Sequence, residues 1–338
     1  MQEEKNKHFI RNIEIKNFKC FDNFKAEGFG RVNLIGGKNN VGKTAFMEAC
    51  SINIYSQSIE SMTMALRNPK YRREKLNLVK QSYMKEDTKK FIENMDGFFS
   101  ESNIKKIEFI MENSNGIKNY IFDIDNQKNK INSNEFSYDL KHINNIIFID
   151  SYGFRDKDIN EAYVSIQESN KEEELNRYIN LFDNNIQSFK IFTEQPIKPK
   201  CQVQNIYRDL NEFGDGVRHY ISIICSLYAC KNSYLFIDEI GNGIHYTNLD
   251  KLWEIILTIS KEQNVQVFAT THSDECIRAL VTANTKDVKT YQLKEHILED
   301  DEIKFIELGR TNGKVDSIIF DFKELENEVA QNMEIRGW

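Results

Sequence analysis

Residues 37–44 read Gly-Lys-Asn-Asn-Val-Gly-Lys-Thr, and this G-x-x-x-x-G-K-T spacing is typical of a loop that binds phosphate groups. An apolar run precedes the loop at residues 32–35, and a helix-like segment follows it. Between a strand and a helix, the glycines let backbone N–H groups turn towards a phosphate, and the helix N-terminus adds partial positive charge. Lys43 is expected to reach the β- and γ-phosphates of a nucleoside triphosphate, and the Thr44 hydroxyl to bind Mg²⁺. The predicted nucleotide-binding residues here are Gly37, Lys38, Asn39, Asn40, Val41, Gly42, Lys43, Thr44 and Ala45.

Two consecutive carboxylates follow a second apolar run, Tyr-Leu-Phe-Ile at residues 234–237. This is the form of a Walker B motif. In that interpretation Asp238 holds the metal, usually through water, and Glu239 orients and deprotonates the attacking water. A strand that ends in solvated carboxylates would have the same sequence. The presence of the phosphate loop favours the catalytic interpretation.

A histidine follows a third apolar run, where residues 265–273 read Val-Gln-Val-Phe-Ala-Thr-Thr-His-Ser. At the end of such a strand His272 could reach the γ-phosphate and report whether it is present. The alternative is a plain helix start, because Ser273 followed by two acidic residues is a good N-cap. Both interpretations can hold together.

A glycine pair at Gly214 and Gly216 precedes an apolar helix, about two dozen residues before Asp238. On its own, Gly-x-Gly is a weak pattern that also fits a simple turn. Its position relative to Asp238 is the reason to consider it.

The elements that must position these residues alternate along the second half of the chain. Helices are predicted near 215–230, 248–262 and 274–283, with strands at 234–237 and 265–269 between them, which indicates a parallel sheet covered by helices. Short strands fill residues 9–36. Residues 56–102 look helical, residues 107–124 form a predicted β-hairpin, and 159–183 read as one helix. Residues 196–207 look like a single return strand, and the tail adds strands at 289–293 and 303–308 and a final helix.

Composition favours a soluble cytoplasmic protein. The chain has 338 residues, 40% of them hydrophobic, and a net charge of −7, which argues against broad, sequence-independent binding of nucleic acid. Its six cysteines show no C-x-x-C spacing, so reduced thiols are expected. The N-terminus has no apolar signal core, and the longest nearly apolar run is too short to cross a bilayer.

The motifs in this order resemble those of the ABC/SMC-like P-loop ATPases, and within them the prokaryotic AAA branch related to OLD (overcoming lysogenisation defect) proteins. The passages that carry the resemblance are residues 13–21, 36–44, 238–245, 269–273 and the closing 334–337. The resemblance implies an α/β fold: an ABC-type P-loop ATPase core with a mixed sheet flanked by helices, and a helical and β-hairpin insertion. The core would comprise residues 1–55 and 200–338, and the insertion residues 56–199.

The resemblance also implies roles for single residues. Lys43 and Thr44 would bind phosphate and Mg²⁺, Asp238 would hold the metal, Glu239 would be the base and His272 the switch. In such ATPases a signature loop lies at the position of Gly214–Gly216. It acts in trans, so Gly214 and Gly216 would contact ATP bound to a second copy of the chain. The implied assembly is an ATP-dependent, head-to-tail homodimer that hydrolyses ATP slowly and controls a separately encoded effector in phage or mobile-element defence.

The sequence departs from this family pattern in several places. Relatives usually have a serine where Gly214 stands, and Asp215 would repel a γ-phosphate unless it points away or contacts Arg218. Neither Gln81 nor Gln167 makes a convincing glutamine-loop residue, and His245 fits either a partner contact or a plain surface position. The basic cluster at 67–75 fits a solvated helical face better than a nucleic-acid contact. The tail is too short for the Toprim nuclease domain that many OLD proteins carry.

Two rival functions follow from the same motifs. One is a nucleotide-sensing scaffold that binds ATP, barely hydrolyses it and acts by holding a partner. The other is a DNA-repair or recombination clamp of SMC type, which the absence of long heptad repeats weakens. Substitution of Glu239 discriminates between a hydrolysing enzyme and a sensor.

Overall fold

The computed structural model describes residues 6–55, 99–100, 106–114, 116–123, 128–133, 146–151, 153–192, 196–285 and 297–331. Several sequence predictions lie outside these residues: nearly all of the helical stretch 56–102, with the basic cluster 67–75 and Gln81, the strand at 289–293 and the closing 334–337. Among the described residues, no helix combines the length and apolar character needed to cross a membrane.

A six-stranded mixed sheet forms the centre of the molecule, with strand order β14-β13-β3-β12-β11-β7. All neighbouring pairs are parallel except β13 with β14. Strands β3, β11 and β12 are buried along their whole length, as expected for a parallel sheet that is covered on both faces. The strands are β3 (Val32–Gly37), β7 (Ile147–Ile149), β11 (Tyr234–Ile237), β12 (Gln266–Thr270), β13 (Ile303–Thr311) and β14 (Lys314–Asp321).

Alternate residues of these strands point to two different cores. Leu34, Leu235 and Val267 belong to one core, which also contains the apolar sides of most helices. Ile35, Phe236 and Phe268 belong to the other, which contains the helix after the phosphate loop and the second sheet. The helices are α1 (Lys43–Tyr55), α2 (Asp156–Glu168), α3 (Glu172–Phe182), α4 (Asp215–Ala229), α5 (Leu249–Gln263), α6 (Asp274–Asn284) and α7 (Phe322–Ala330).

A second, antiparallel sheet has the order β2-β1-β4-β5-β6. The predicted hairpin at 107–124 is confirmed: β4 pairs with β5 from Lys106 opposite Asp123 to Asn113 opposite Gly116. Gln266 of β12 connects the two sheets, because its buried side-chain amide exchanges hydrogen bonds with the backbone N–H and C=O of Ile10. The strands are β1 (Ile10–Phe18), β2 (Phe21–Glu27), β4 (Lys106–Asn113), β5 (Gly116–Asp123) and β6 (Lys128–Ser133).

Two sequence predictions need correction, and the strands at 128–133 and 188–192 were missed as well. The single helix at 159–183 is two helices, α2 and α3, because Asn170 adopts a positive φ of 53° between them. The single return strand at 196–207 is a hairpin of β9 (Lys198–Val203) and β10 (Ile206–Asp209), and β8 (Ser188–Phe192) joins it in a small third sheet. Strand β14 was not predicted at all. The remaining predicted helices and strands among the described residues are confirmed to within a few residues.

The division into a split core and an insertion at 56–199 stays a prediction. The described part of that insertion contributes to both large sheets, since β4–β6 extend the sheet of β1 and β2 while β7 lies beside β11. If the domains were divided by sheet membership, β7 would therefore belong to the core and not to the insertion.

Candidate functional site

The predicted phosphate loop connects the end of β3 to the start of α1, which begins at Lys43. The Lys43 ammonium donates to the backbone carbonyls of Gly37, at 2.9 Å, and Lys38, at 3.2 Å, so the side chain folds back over its own loop. Burial lowers the pKa of Lys43, and the nearby carboxylates of Glu239 and Asp238 oppose that shift. Phosphate groups bound in the loop would favour the charged ammonium in the same way.

Asp238 lies at the carboxyl end of β11, next to the start of α1. The Thr44 hydroxyl lies 3.1 and 3.2 Å from the two oxygens of the Asp238 carboxylate. Thr270 Oγ1 donates to Asp238 Oδ1 at 2.7 Å, and the Asp238 N–H donates to Ile149 O at 2.8 Å. Burial raises the pKa of Asp238, while the hydrogen bonds from Thr270 and Thr44 oppose the rise. The structure therefore brings together the two residues predicted to bind the metal.

The Thr44 and Asp238 oxygens suit Mg²⁺, a hard cation that binds through one or two carboxylates together with waters and substrate phosphates. The Thr44 hydroxyl at the start of α1 and the Asp238 carboxylate at the end of β11 provide oxygen ligands of that type. Their hydrogen bond is the observation on which this fit depends.

Glu239 follows Asp238 with a positive φ of 54°, which is uncommon for a residue other than glycine. Its N–H donates to Thr270 Oγ1 at 2.8 Å, and its Oε2 lies 2.7 Å from Nδ1 of His272. The Glu239 side chain is 26% exposed and that of His272 62%, so water can reach the pair. The cap interpretation also holds, because Ser273 Oγ accepts from the N–H of Cys276 at the start of α6. The catalytic roles of Glu239 and His272 stay predictions.

Gly214 and Gly216 lie at the N-terminus of α4. Gly214 has φ 81° and ψ 170°, a conformation that is essentially restricted to glycine. A Cβ on Gly216 would lie 2.2 Å from the carbonyl oxygen of Gly243, in the loop that follows Glu239. The predicted signature loop thus packs directly on the loop after Asp238 and Glu239. Its contact with nucleotide on a second chain stays a prediction.

Other residues singled out in the sequence lie near this region. Arg218 donates to Asp156 Oδ1 at 2.8 Å and to Phe154 O at 3.1 Å, and so connects α4 to the segment that begins α2. Nδ1 of His245 lies 2.9 Å from Thr247 Oγ1 on an exposed turn. A role for His245 at a partner interface stays a prediction.

Sequence reasoning missed two residues that contact the site. Thr270 bonds to both Asp238 and Glu239. The sequence shows that both strands end in polar residues, but only the structure shows that β11 and β12 are neighbours. His219 is buried in α4, with Nε2 3.2 Å from Ile240 O, one residue after Glu239. Its only signal was a histidine immediately before the nearly apolar run of residues 220–230.

Comparisons with known proteins point to nucleotide hydrolases. A family model described as an AAA ATPase domain matches residues 53–277, more than half of the chain, including Asp238, Glu239 and His272. An ATP/GTP phosphatase of Helicobacter pylori is 28% identical over 345 residues, which cover 87% of this chain and 93% of that protein. An uncharacterised protein of Methanocaldococcus jannaschii is 42% identical over only 43 residues, 13% of this chain and 20% of that protein.

Solved structures with a similar fold are SMC head domains. The SMC head domain from Thermotoga maritima gives a TM-score of 0.50 at 14% identity, covering 91% of this chain and 98% of that one. The Smc head domain from Pyrococcus furiosus with an extended coiled coil, bound to the C-terminal domain of ScpA, gives 0.54 at 11% identity, with 96% and 99% covered. At these identities the similarity establishes the fold, a mixed sheet flanked by helices as in ABC-type ATPase domains, and nothing more.

Proposed function

Because the chain belongs to the AAA ATPase domain family, we propose that it binds Mg·ATP, hydrolyses it slowly, and dimerises around it to control a separate effector. The family model supports an ATPase domain, and the solved structures support only the fold, that of SMC heads. The dimer, the effector and the rate are the proposal. GTP is a second substrate to test, since the Helicobacter pylori relative is named for both nucleotides.

The observation that carries the proposal is the contact between Thr44 and Asp238. It joins a residue of the phosphate loop to a strand-end carboxylate 194 positions away in the sequence, with Glu239 next to it. In phosphoryl transfer the protein mainly positions groups and stabilises charge. Thr44 and Asp238 are the residues that would hold Mg²⁺, which would neutralise phosphate charge when bound.

The residues of the chain can divide the remaining chemistry between them. Lys43 and the loop N–H groups hold the β- and γ-phosphates, and the Glu239 carboxylate accepts a proton from water. The water oxygen forms a bond to the γ-phosphorus while the bond to the bridging oxygen breaks, and ADP leaves with that electron pair. His272, bonded to Glu239, orients the carboxylate and contacts the γ-phosphate. Slow turnover is proposed because Gly214 lacks the serine hydroxyl of related signature loops.

The biological role is proposed from the resemblance to OLD-related ATPases. In this proposal ATP-dependent closure switches an effector encoded by another gene, as part of defence against phage or mobile elements. Purification of the protein from its native host with and without ATP, followed by identification of what co-purifies, tests it. A nuclease or toxin retained only with ATP supports the proposal, and recovery of the chain alone under both conditions contradicts it.

Nucleotide hydrolysis is tested by phosphate release with ATP and GTP, alongside binding of a fluorescent ATP analogue. We expect Lys43→Ala to lose binding. Glu239→Gln should keep binding and lose hydrolysis by about 100-fold or more, because general-base catalysis contributes on that order. Glu262→Gln, at the exposed end of α5 away from the strand ends that carry the site, is the matched control and should behave as wild type.

The same measurements separate the rival functions. Wild-type protein that binds ATP without releasing phosphate, and whose Glu239→Gln variant keeps its biological activity, would be a sensing scaffold. ATP-dependent DNA binding by wild type would indicate a clamp. Unchanged phosphate release in Glu239→Gln would contradict the assignment of the base.

A further inference from the structure

Thr270 is the last residue of β12 and is completely buried between the two carboxylate residues of the site. The parallel register places Ile237 opposite Ala269, so the next residues of each strand, Asp238 and Thr270, are neighbours. A threonine hydroxyl at this position is within reach of both the side chain and the following backbone of β11.

The Thr270 hydroxyl makes two hydrogen bonds whose directions are fixed. The backbone N–H of Glu239 can only donate, so Oγ1 must accept that bond, at 2.8 Å. Its own proton then goes to Oδ1 of Asp238, at 2.7 Å. The Thr270 carbonyl also accepts from the N–H of Ile240 at 2.9 Å. One residue therefore holds three consecutive residues, from Asp238 to Ile240.

We propose that Thr270 is a positioning residue for the hydrolytic reaction, one that fixes the Glu239 carboxylate relative to the Asp238 carboxylate. This inference rests on the proposed function. Glu239 has a positive φ, a conformation that costs free energy and persists only where the surrounding structure holds it. The bond to Thr270 Oγ1 anchors the N–H of Glu239. The bond to Oδ1 fixes the rotation of the Asp238 carboxylate that faces Thr44.

The proposal assigns the positioning effect to the two hydrogen bonds of the Thr270 hydroxyl and not to the shape of the side chain. Valine has the same branched shape and suits a buried strand equally well. Thr270→Val would leave the Glu239 N–H without its acceptor and remove one donor from Asp238. Thr270→Ser keeps the hydroxyl and loses only a methyl group, so it serves as the conservative rescue.

The test compares steady-state ATP hydrolysis of wild type, Thr270→Val and Thr270→Ser, with thermal unfolding as a check on folding. We expect Thr270→Val to lower kcat by about 10- to 100-fold while KM for ATP changes by less than about threefold, because the phosphate loop is untouched. Thr270→Ser should stay within about threefold of wild type in both parameters. Thr258→Val, which removes a hydroxyl bonded to Glu254 O within α5, is the control and should match wild type.

A second readout does not depend on turnover. Hydrogen–deuterium exchange of the peptide containing residues 238–242 should be faster in Thr270→Val than in wild type or Thr270→Ser, because the Glu239 amide loses its acceptor. Unchanged exchange and unchanged kcat in Thr270→Val would overturn the inference, as would a loss in KM alone or an equal loss in Thr270→Ser.

The outcomes for Glu239 distinguish the two proposals. If Glu239→Gln abolishes hydrolysis while Thr270→Val resembles wild type, only the positioning role fails. If Glu239→Gln hydrolyses ATP at the wild-type rate, the proposed function fails at its base, whatever Thr270→Val does.

Discussion

At the scale of single residues, His219 is the clearest case of a group whose environment dictates its charge. It is buried in α4, and its Nε2 lies within hydrogen-bonding distance of the carbonyl of Ile240, the residue after Glu239. Burial lowers the pKa of His219 to about 4, and the bond to Ile240 only partly opposes this. The histidine is therefore neutral in the folded protein at pH 7.

The depressed pKa of His219 predicts a stability that falls in mild acid. In the unfolded chain the histidine has a pKa near 6.5, so below that pH the unfolded state takes up a proton that the folded state refuses. This stability is complete above about pH 6.5 and is lost as the pH falls towards 4. Between pH 7 and pH 5 the loss from this one group is about 2 kcal/mol.

Urea denaturation of wild type and His219→Asn at pH 7 and pH 5 measures the contribution of His219 to the free energy of unfolding. Asparagine does not titrate, and its amide can still donate to the Ile240 carbonyl. Acidic groups titrate equally in both proteins, so their contribution cancels in the comparison. The free energy of unfolding should fall more steeply between pH 7 and pH 5 for wild type. Parallel losses in both proteins would show that unfolding takes up no extra proton at His219, so that its pKa is not lowered in the folded protein.

At the scale of elements, the start of α4 is constrained by the loop that follows Glu239. Gly216→Ala would place a methyl group 2.2 Å from the Gly243 carbonyl oxygen, and backbone cannot yield as a flexible side chain can. We predict that this substitution separates the two loops, costs about 1–3 kcal/mol of stability, and lowers hydrolysis while ATP binding to the phosphate loop persists.

Gly313→Ala is a suitable comparison, since it separates strain from steric contact. Gly313 lies in the β13–β14 turn with a φ of 82°, unlike Gly216, and a methyl group added there would have no neighbouring atom within 4 Å. It should cost stability without affecting hydrolysis, as measured by phosphate release and urea denaturation. Equal phosphate release from Gly216→Ala and wild type would contradict the coupling.

The conformation of Gly214 also gives a local reason why the serine of related signature loops is missing here, because a side chain at this position would be strained.

The elements also show what the sequence can predict here. Strands and helices around the site follow from apolar runs and caps, so β3, β11 and β12 and the helices after them were predictable. The break at Asn170 and the turn at Gln204 and Asn205 depend on positive φ at residues other than glycine, which leaves a weak signal. Sheet order depends on distant contacts. The same applies to Thr270, whose role is visible only once β11 and β12 are in register.

At the scale of the whole molecule, each chain carries one predicted phosphate loop, Gly37–Thr44, and one predicted signature loop, Gly214–Gly216. The proposal requires these to meet across a dimer, so a complete site takes its phosphate loop from one chain and its signature loop from the other. Two defective chains should then repair each other if their defects lie in different halves of the site.

We predict that an equal mixture of Lys43→Ala and Gly214→Ala chains regains hydrolysis. Alanine at Gly214 strains its own loop, which has a φ of 81°, but the added methyl group meets no atom within 4 Å and so leaves the Glu239 loop of the same chain in place. Random pairing makes about half of the dimers mixed, and each mixed dimer has one intact site out of two, so about a quarter of the wild-type rate should return. A mixture of Lys43→Ala with Glu239→Gln is the matched control, because both defects fall in the half-site that one chain supplies, and no intact site can form. Phosphate release from each mixture, with sedimentation velocity in the presence of Mg·ATP, measures both effects. A dimer whose Lys43→Ala and Gly214→Ala mixture stays inactive would place each complete site within one chain. A Glu239→Gln chain that stays monomeric with ATP would remove the dimer altogether.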